Sequence, residues 1–301
     1  MKNKFVIPVL SLIVGLIAIG AFALSFNQSS NIAPTNKIQV VAAENVWGSL
    51  ATQLGGDRVL VKSIVSDPNA DPHEYESSTT TARAISDANY VVLNGAGYDD
   101  WAIKLIEASP NASRKELNVA NLVGKKPGDN PHFWYSPDYV SKVVDQITAD
   151  YQQLDPIDFA YFAQEHANVL ASLQPYFSRI ATLKAEYTGT KVASTEDIFV
   201  YMADAAGLNL ISPPDFMAAV AEGNDPSTAS ALKFEQQLTS AEPKVLIYNT
   251  QTSTAVTTNM KQIALSHNVP VIGISEIINP PTATFQTWMN NQLDALASAL
   301  K

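Results

Sequence analysis

Two of the four histidines stand in settings that suit metal ligation. Each directly follows a proline in a polar loop, in the segments DPHEYE (residues 71–76) and NPHFW (residues 130–134). Proline restricts the backbone just before the imidazole, and each loop is predicted to lead into a helix. Loops of this kind are where open α/β sheets bind ligands. We predict that His73 and His132 are ligands, although either one alone could be an ordinary surface residue.

Two carboxylates occupy comparable positions later in the chain. Glu196 follows a predicted strand at residues 191–194, and Glu276 follows another at residues 269–274. Each glutamate could also have a role without metal. Glu196 could stabilise a helix N-terminus, and Glu276 could be an acidic residue of a solvated loop. Two imidazoles with two carboxylates suit Zn²⁺, Mn²⁺ or Fe²⁺ better than Ca²⁺. The sequence separations of 59, 64 and 80 residues between these four positions are too long for a local finger-type site. They indicate ligands gathered across a cleft.

The other two histidines have structural interpretations. His166 lies on an apolar stripe of residues spaced by three or four, which predicts a packed core histidine. His267 lies in the polar segment SHN (residues 266–268), where it can interact with the last carbonyls of a helix. We assign neither to the metal site.

The elements that would position these residues form two halves. Strands alternate with helical stretches in residues 37–155 and again in residues 189–301, which predicts βαβ units and largely parallel sheets. The apolar stripe between them predicts one long helix over residues 156–188, which Pro175 should bend rather than end. The sequence predicts an α/β fold of two lobes joined by one long helix, with the metal site in the cleft between the lobes.

Composition excludes several classes of function. The chain of 301 residues has no cysteine, so disulfides, thiolate metal sites and a lipidated N-terminal cysteine are excluded. Of 19 basic and 29 acidic side chains, only Lys2 and Lys4 fall in the first 36 residues, so the remainder carries a net charge of −12. This balance argues against nucleic acid or anionic lipid as the main partner.

The first 36 residues are predicted to direct export. Lys2 and Lys4 precede an uncharged, mostly apolar run at residues 5–26, and residues 27–36 form a polar tether. The run is long enough to cross a bilayer as a helix. Residues 1–36 are therefore either a cleaved signal peptide or an uncleaved anchor, and in both cases the body lies outside the cytoplasm.

The four candidate segments resemble the zinc- and manganese-specific solute-binding proteins of bacterial ABC importers, and the resemblance covers residues 37–301. The segments around His73 and His132 resemble the first and second ligand motifs of that family. The segment TEDIFVY (residues 195–201) resembles the third, in which family members carry Glu or His three residues before the Phe. The segment NGAGYDDW (residues 94–101) resembles a family loop that we interpret as structural.

The sequence departs from the family pattern in three respects. Glu276 stands where the family commonly has Asp, so water or Asp225 remains an alternative fourth ligand. The long loop rich in His and acids of many zinc-binding members is absent near residues 66–70. The lipid-modified cysteine of many members is absent as well, and an uncleaved helix at residues 5–26 could replace its tether.

The resemblance implies a monomeric extracytoplasmic binding protein that delivers Zn²⁺ or, second, Mn²⁺ to an ABC permease. The metal would be cargo, with no organic cofactor and no enzymatic activity. Because both histidines must be neutral to bind, we expect affinity to fall as pH drops through about 6.5. The alternatives are a secreted zinc hydrolase, for which no HExxH segment is present, a surface adhesin, and a binding protein for an organic or chelated solute.

Overall fold

Parallel strands alternate with helices in the first half of the described chain. The computed structural model describes residues 37–69 and 72–301. Val and Ile dominate the buried strands, as is usual where helices cover both faces of a parallel sheet. The elements of this half are β1 (Ile38–Glu44), α1 (Asn45–Gly55), β2 (Val59–Val65), α2 (Thr79–Asp87), β3 (Tyr90–Leu93), α3 (Asp100–Ala108), β4 (Lys115–Asn118), α4 (Val119–Val123) and α5 (Pro137–Leu154).

The second half repeats this alternation after one long helix, α6 (Phe159–Tyr187). Pro175 lies inside α6 and does not end it, as predicted. The later elements are β5 (Lys191–Ser194), α7 (Val200–Ala205), β6 (Asn209–Leu210), α8 (Pro214–Ala221), α9 (Thr228–Thr239), β7 (Leu246–Asn249), α10 (Ala255–Ser266), β8 (Val271–Ile274) and α11 (Phe285–Ala299).

The strands form two four-stranded parallel sheets with the orders β2-β1-β3-β4 and β6-β5-β7-β8. The predicted α/β fold with two parallel sheets and one long helix is confirmed. One buried core contains residues of both halves and of α6, including Val92, Leu173 and Ile247. The lobe boundaries at residues 155 and 189 stay a prediction.

Several local expectations were wrong or incomplete. The helix considered for the segment after Glu196 begins as a 3-10 turn at Asp197–Phe199, and only Val200–Ala205 is α-helical. β4 was not predicted because its sequence, KELN, is polar, and β6 has only two residues. The interpretation of His166 as a core histidine was wrong, because its side chain is 26% exposed and its Nε2 lies 2.7 Å from Asp145 Oδ1.

The predicted role of His267 is confirmed, since its Nδ1 lies 2.9 Å from the carbonyl oxygen of Ile263 near the end of α10. Among residues 37–69 and 72–301, no helix combines the length and apolar character that a bilayer crossing requires. The signal or anchor predicted at residues 5–26 lies outside the described residues.

Candidate metal site

Three of the four predicted ligands converge at one point. The nitrogen and oxygen atoms that His73, His132 and Glu276 can offer to a metal all lie within 4.8 Å of one another. Glu276 Oε2 is 3.4 Å from His73 Nε2 and 3.5 Å from His132 Nε2. Donors bound to one tetrahedral Zn²⁺ at 2.0–2.2 Å are separated by roughly 3.3–3.6 Å, so these spacings suit a shared cation.

The fold brings these residues together from the carboxyl ends of its strands. His73 lies on a short 3-10 turn (Pro72–Glu74) between β2 and α2, and His132 lies in the loop between α4 and α5. Glu276 lies two residues after β8, and Glu196 lies two residues after β5. Carboxyl ends of parallel strands are the usual place for ligands in open α/β sheets.

The ring of His132 is fully buried and its orientation is determined by acceptors on Nδ1. Asn130 Oδ1 lies 2.9 Å and Asp197 Oδ1 lies 3.2 Å from this nitrogen. Asn130 Nδ2 donates to the backbone oxygen of Asp197 at 2.6 Å, which settles the orientation of the amide. Because Asn130 Oδ1 accepts a hydrogen bond at Nδ1, this nitrogen carries a proton and Nε2 faces Glu276. A carboxylate on the far nitrogen is a common support for metal-binding histidines.

Glu276 is also fully buried and contacts both halves of the molecule. Tyr98 donates its hydroxyl to Glu276 Oε2 at 2.6 Å, and Asn249 Nδ2 donates to Glu276 Oε1 at 2.7 Å. The backbone amide of Glu276 donates to Gln251 Oε1 at 2.6 Å. These contacts place one carboxylate oxygen toward the histidines and the other toward Asn249.

Glu196 does not belong to the group of three whose donor atoms lie within 4.8 Å of one another. It is fully buried, and its Oε1 accepts a hydrogen bond from the same Asn249 amide that reaches Glu276. Within residues 37–69 and 72–301, neither Glu196 Oε2 nor His132 Nε2 has a hydrogen-bond partner. Glu196 therefore flanks the three-residue group and presents an unsatisfied buried oxygen. Asp225, the alternative fourth ligand, is exposed.

The pKa values of the clustered histidine and glutamates are shifted by burial and by their mutual contacts. Burial would lower the pKa of His132, but Asp197 and Glu276 outweigh it and raise the pKa to about 10. Burial would raise the pKa of Glu276, but its contacts with His132 and His73 lower that pKa well below its usual range. Burial and the charge of Glu276 raise the pKa of Glu196 to about 8. At neutral pH without metal, His132 is a cation, Glu276 an anion and Glu196 a neutral acid.

A second buried pair of carboxyl groups anchors the loop that carries Tyr98. Asp99 accepts from the backbone amides of Asn94 at 2.6 Å and Gly95 at 2.7 Å. Burial raises the pKa of Asp99 to about 6. Burial and the neighbouring Asp99 raise the pKa of Glu44, the last residue of β1, well above its usual range. A neutral Glu44 beside Asp99 avoids two adjacent negative charges in the core.

Sequence reasoning missed three residues that contact the predicted ligands. Tyr98 lies in the loop that we interpreted as purely structural, although an aromatic residue directly after a glycine could have marked it as a contact residue. Asn249 is the last residue of a strand, and Glu196 and Glu276 each lie two residues after one. This position at a strand end could have marked Asn249 as a site residue. Asp197 directly follows Glu196 in the chain, and its contact with His132 comes from the other half of the chain.

A polar pocket of about 260 Å³ opens onto the site, and its lining includes His73, Tyr98, His132 and Asp197. A larger pocket of about 640 Å³ lies beside β4, where mostly apolar side chains and the single acid Glu116 line it. The larger pocket lacks a cluster of ligating groups, so the smaller one is the candidate route to a cation site.

The chain resembles known metal-binding proteins in sequence. Residues 40–299 match the family model described as ZnuA, zinc-uptake complex component A, periplasmic. The manganese-binding lipoprotein MntA of Halalkalibacterium halodurans is 26% identical over 206 residues, which cover 66% of this chain and 67% of that protein. The manganese ABC transporter substrate-binding lipoprotein scaA of Streptococcus gordonii is 26% identical over 201 residues, covering 62% of this chain and 60% of that protein. The matched region therefore spans about two thirds or less of these relatives.

Solved structures share the fold over their whole length. A crystal structure of ZnuA covers 88% of this chain and 100% of its own, with a TM-score of 0.71 and 22% identity. The manganese-bound periplasmic metal-binding protein of Candidatus Liberibacter asiaticus covers 87% of this chain and 99% of its own, with a TM-score of 0.69 and 19% identity. Because the ZnuA family model spans nearly all of the described residues, the chain belongs to the ZnuA family.

Proposed function

We propose that the protein is the extracytoplasmic substrate-binding component of a metal ABC importer, and that it captures a divalent transition metal for delivery to a permease. The observation that carries this proposal is the convergence of His73, His132 and Glu276 within 4.8 Å, in a pocket that opens to solvent. Two imidazole nitrogens and carboxylate oxygens are ligands that Zn²⁺ and Mn²⁺ both accept.

Glu196 completes the proposed ligand set. Its free oxygen is buried beside the other three groups, and a buried acceptor without a partner is costly unless something occupies the position. The ligands would then come from both halves, the histidines from residues 37–155 and the glutamates from residues 189–301. Binding of a metal would hold these two proposed lobes together across the cleft.

The proposed cargo is Zn²⁺ first and Mn²⁺ second. Two imidazoles favour Zn²⁺, whereas two carboxylates also suit Mn²⁺. Both metals are found among similar proteins, since two relatives have manganese in their names and the family is described by zinc uptake. We propose that the metal is released as cargo rather than retained for catalysis, and that the protein acts as a monomer tethered or secreted outside the cytoplasmic membrane.

Calorimetry tests the proposal directly. Metal-free protein is titrated with Zn²⁺, Mn²⁺ and Fe²⁺, beside a His73→Ala/His132→Ala variant and a His267→Ala control. We expect one tight site per chain in the unchanged protein and in the control, and no tight site in the double variant. Unchanged affinity in the double variant would contradict the assignment. Metal-dependent hydrolysis of a peptide or ester panel would instead favour the hydrolase.

A further inference from the structure

The side chain of Asn249 joins the two glutamates of the proposed site. Asn249 is the last residue of β7 and is fully buried. Its Oδ1 accepts a hydrogen bond from the backbone amide of Gln251 at 3.0 Å, so the amide nitrogen must face the other way. Nδ2 therefore faces the carboxylates.

The side-chain amide of Asn249 donates to one oxygen, Oε1, of each glutamate. Nδ2 donates to Oε1 of Glu196 and, at 2.7 Å, to Oε1 of Glu276, and its two hydrogens are shared with a third acceptor, Thr252 Oγ1, at 2.9 Å. Oε2 of Glu276 faces the two histidines and accepts the Tyr98 hydroxyl, which leaves this oxygen a second lone pair for a metal. Oε2 of Glu196 has no hydrogen-bond partner among the described residues. Each glutamate is left with one oxygen for a metal.

We propose that Asn249 is a specificity-determining residue, which limits each glutamate to one metal-binding oxygen and thereby favours Zn²⁺ over Mn²⁺. This inference rests on the proposed function, because it assumes that His73, His132, Glu196 and Glu276 receive the metal. One donor from each side chain makes four in total.

The number of donors distinguishes the two metals. Zn²⁺ is commonly four-coordinate with nitrogen and oxygen ligands, whereas Mn²⁺ favours a larger set of oxygen ligands. A glutamate that binds through both oxygens would supply the additional donor. Water could supply a donor only through the pocket beside His73, because His132, Glu196 and Glu276 are fully buried. Hydrogen bonds from Asn249 to both Oε1 atoms oppose this change to two-oxygen binding.

The test compares Asn249→Leu with Thr252→Val. Leucine has a similar size and no donor, whereas Thr252→Val removes the neighbouring hydroxyl and leaves both amide bonds in place. Zn²⁺ and Mn²⁺ affinities are measured by competition with a chelator of known affinity. Loss of a supporting contact typically weakens metal binding by 10–100-fold. We expect Asn249→Leu to weaken Zn²⁺ by about 10-fold or more and Mn²⁺ by less, so that the Zn²⁺/Mn²⁺ affinity ratio falls at least about fivefold.

We expect Thr252→Val to keep the affinity ratio of the unchanged protein. An equal loss for both metals in Asn249→Leu would reduce Asn249 to a structural support and overturn the inference. X-ray absorption of the unchanged, zinc-loaded protein provides a measurement that needs no variant. Two nitrogen and two oxygen neighbours are expected, and five or more neighbours would overturn the inference. Failure of the unchanged protein to bind any divalent metal would instead overturn the proposed function.

Discussion

The two proline–histidine loops are nearly equivalent in sequence and unequal in structure. His132 is fully buried, and its Nδ1 is held by Asn130 and Asp197. His73 lies on a short turn, and 27% of its side chain is exposed. Both rings nevertheless place Nε2 within 3.5 Å of the same oxygen of Glu276. The shared Pro-His pattern therefore predicted that both rings belong to one site. It did not predict that only His132 is buried and held by neighbouring side chains.

This difference suggests separate roles for the two rings. His132 is part of a buried network that connects the two halves through Asp197, so it should matter to the fold as well as to the metal. His73 lies at the solvent side of the site and lines the pocket. We expect it to be the first ligand to meet an incoming ion, with little effect on the fold. The following experiments separate these roles.

The largest expected effect is the loss of metal affinity when either ring is removed. Structural zinc sites bind with about 10–16 kcal/mol, so losing one of four ligands should weaken binding by roughly 100- to 1,000-fold. His73→Ala and His132→Ala are titrated with Zn²⁺, with His267→Ala as the control. Similar losses in both variants would support two ligands of equal rank. A His73→Ala protein with unchanged affinity would remove His73 from the site.

Stability without metal should separate the two histidines. Removing His132 leaves Glu276 buried beside a cavity, and breaking a buried pair costs about 3 kcal/mol or more. Removing the partly exposed His73 should cost less than about 1 kcal/mol. Urea unfolding of the metal-free variants measures both values. Equal losses would contradict the comparison, because they would mean that exposure does not distinguish the two rings.

A smaller effect is expected from the support of His132 alone. Asp197→Ala removes the carboxylate that contacts Nδ1 and should weaken Zn²⁺ binding by about 10-fold. Asp197→Asn keeps an acceptor and should lose less. Asp145→Ala is a matched control, since Asp145 Oδ1 lies 2.7 Å from Nε2 of His166, a histidine that does not belong to the site. An Asp197→Ala protein with unchanged affinity would show that Asn130 alone is sufficient to orient the ring.

The last expected effect concerns protons. His132, with a pKa raised to about 10, and Glu196, with a pKa raised to about 8, both carry a proton at pH 7. Metal binding requires their deprotonated forms, so up to two protons should be released and affinity should rise from pH 7 toward pH 10. Calorimetry in buffers of different ionisation enthalpy counts these protons. Release of no protons at pH 7 would contradict the assigned protonation states.

This pH window differs from the expectation from sequence. An ordinary histidine titrates near pH 6.5, which led us to predict a loss of affinity around that value. The correction depends on Asp197 and Glu276, which lie 65 and 144 positions from His132 along the chain. No local pattern indicates that these carboxylates contact the ring. The sequence was enough to predict that metal affinity rises with pH. The pH range in which it rises depends on contacts in the folded structure.

The fold itself was largely predictable because it follows from local periodicity. Runs such as VVAA in β1 and YVVL in β3 indicate strands buried on both faces. Polar or very short strands such as β4 and β6 were missed, since their pairing depends on neighbouring strands rather than on their own composition. The candidate site followed the same rule. The ligand types were visible where loops follow strands, whereas Tyr98 and Asn249 were not, because their roles depend on contacts with Glu276.

The sequence by itself determined the class of chemistry in this protein. With no cysteine and four histidines, two of them in loops suited to ligation, thiolate donors were excluded and imidazole and carboxylate donors were favoured. Tertiary structure decided how those donors are presented. Burial and long-range contacts determine which nitrogen of His132 faces Glu276 and which oxygen of each glutamate is bound by Asn249. These properties depend on groups far apart in sequence, and folding alone brings those groups within a few ångströms.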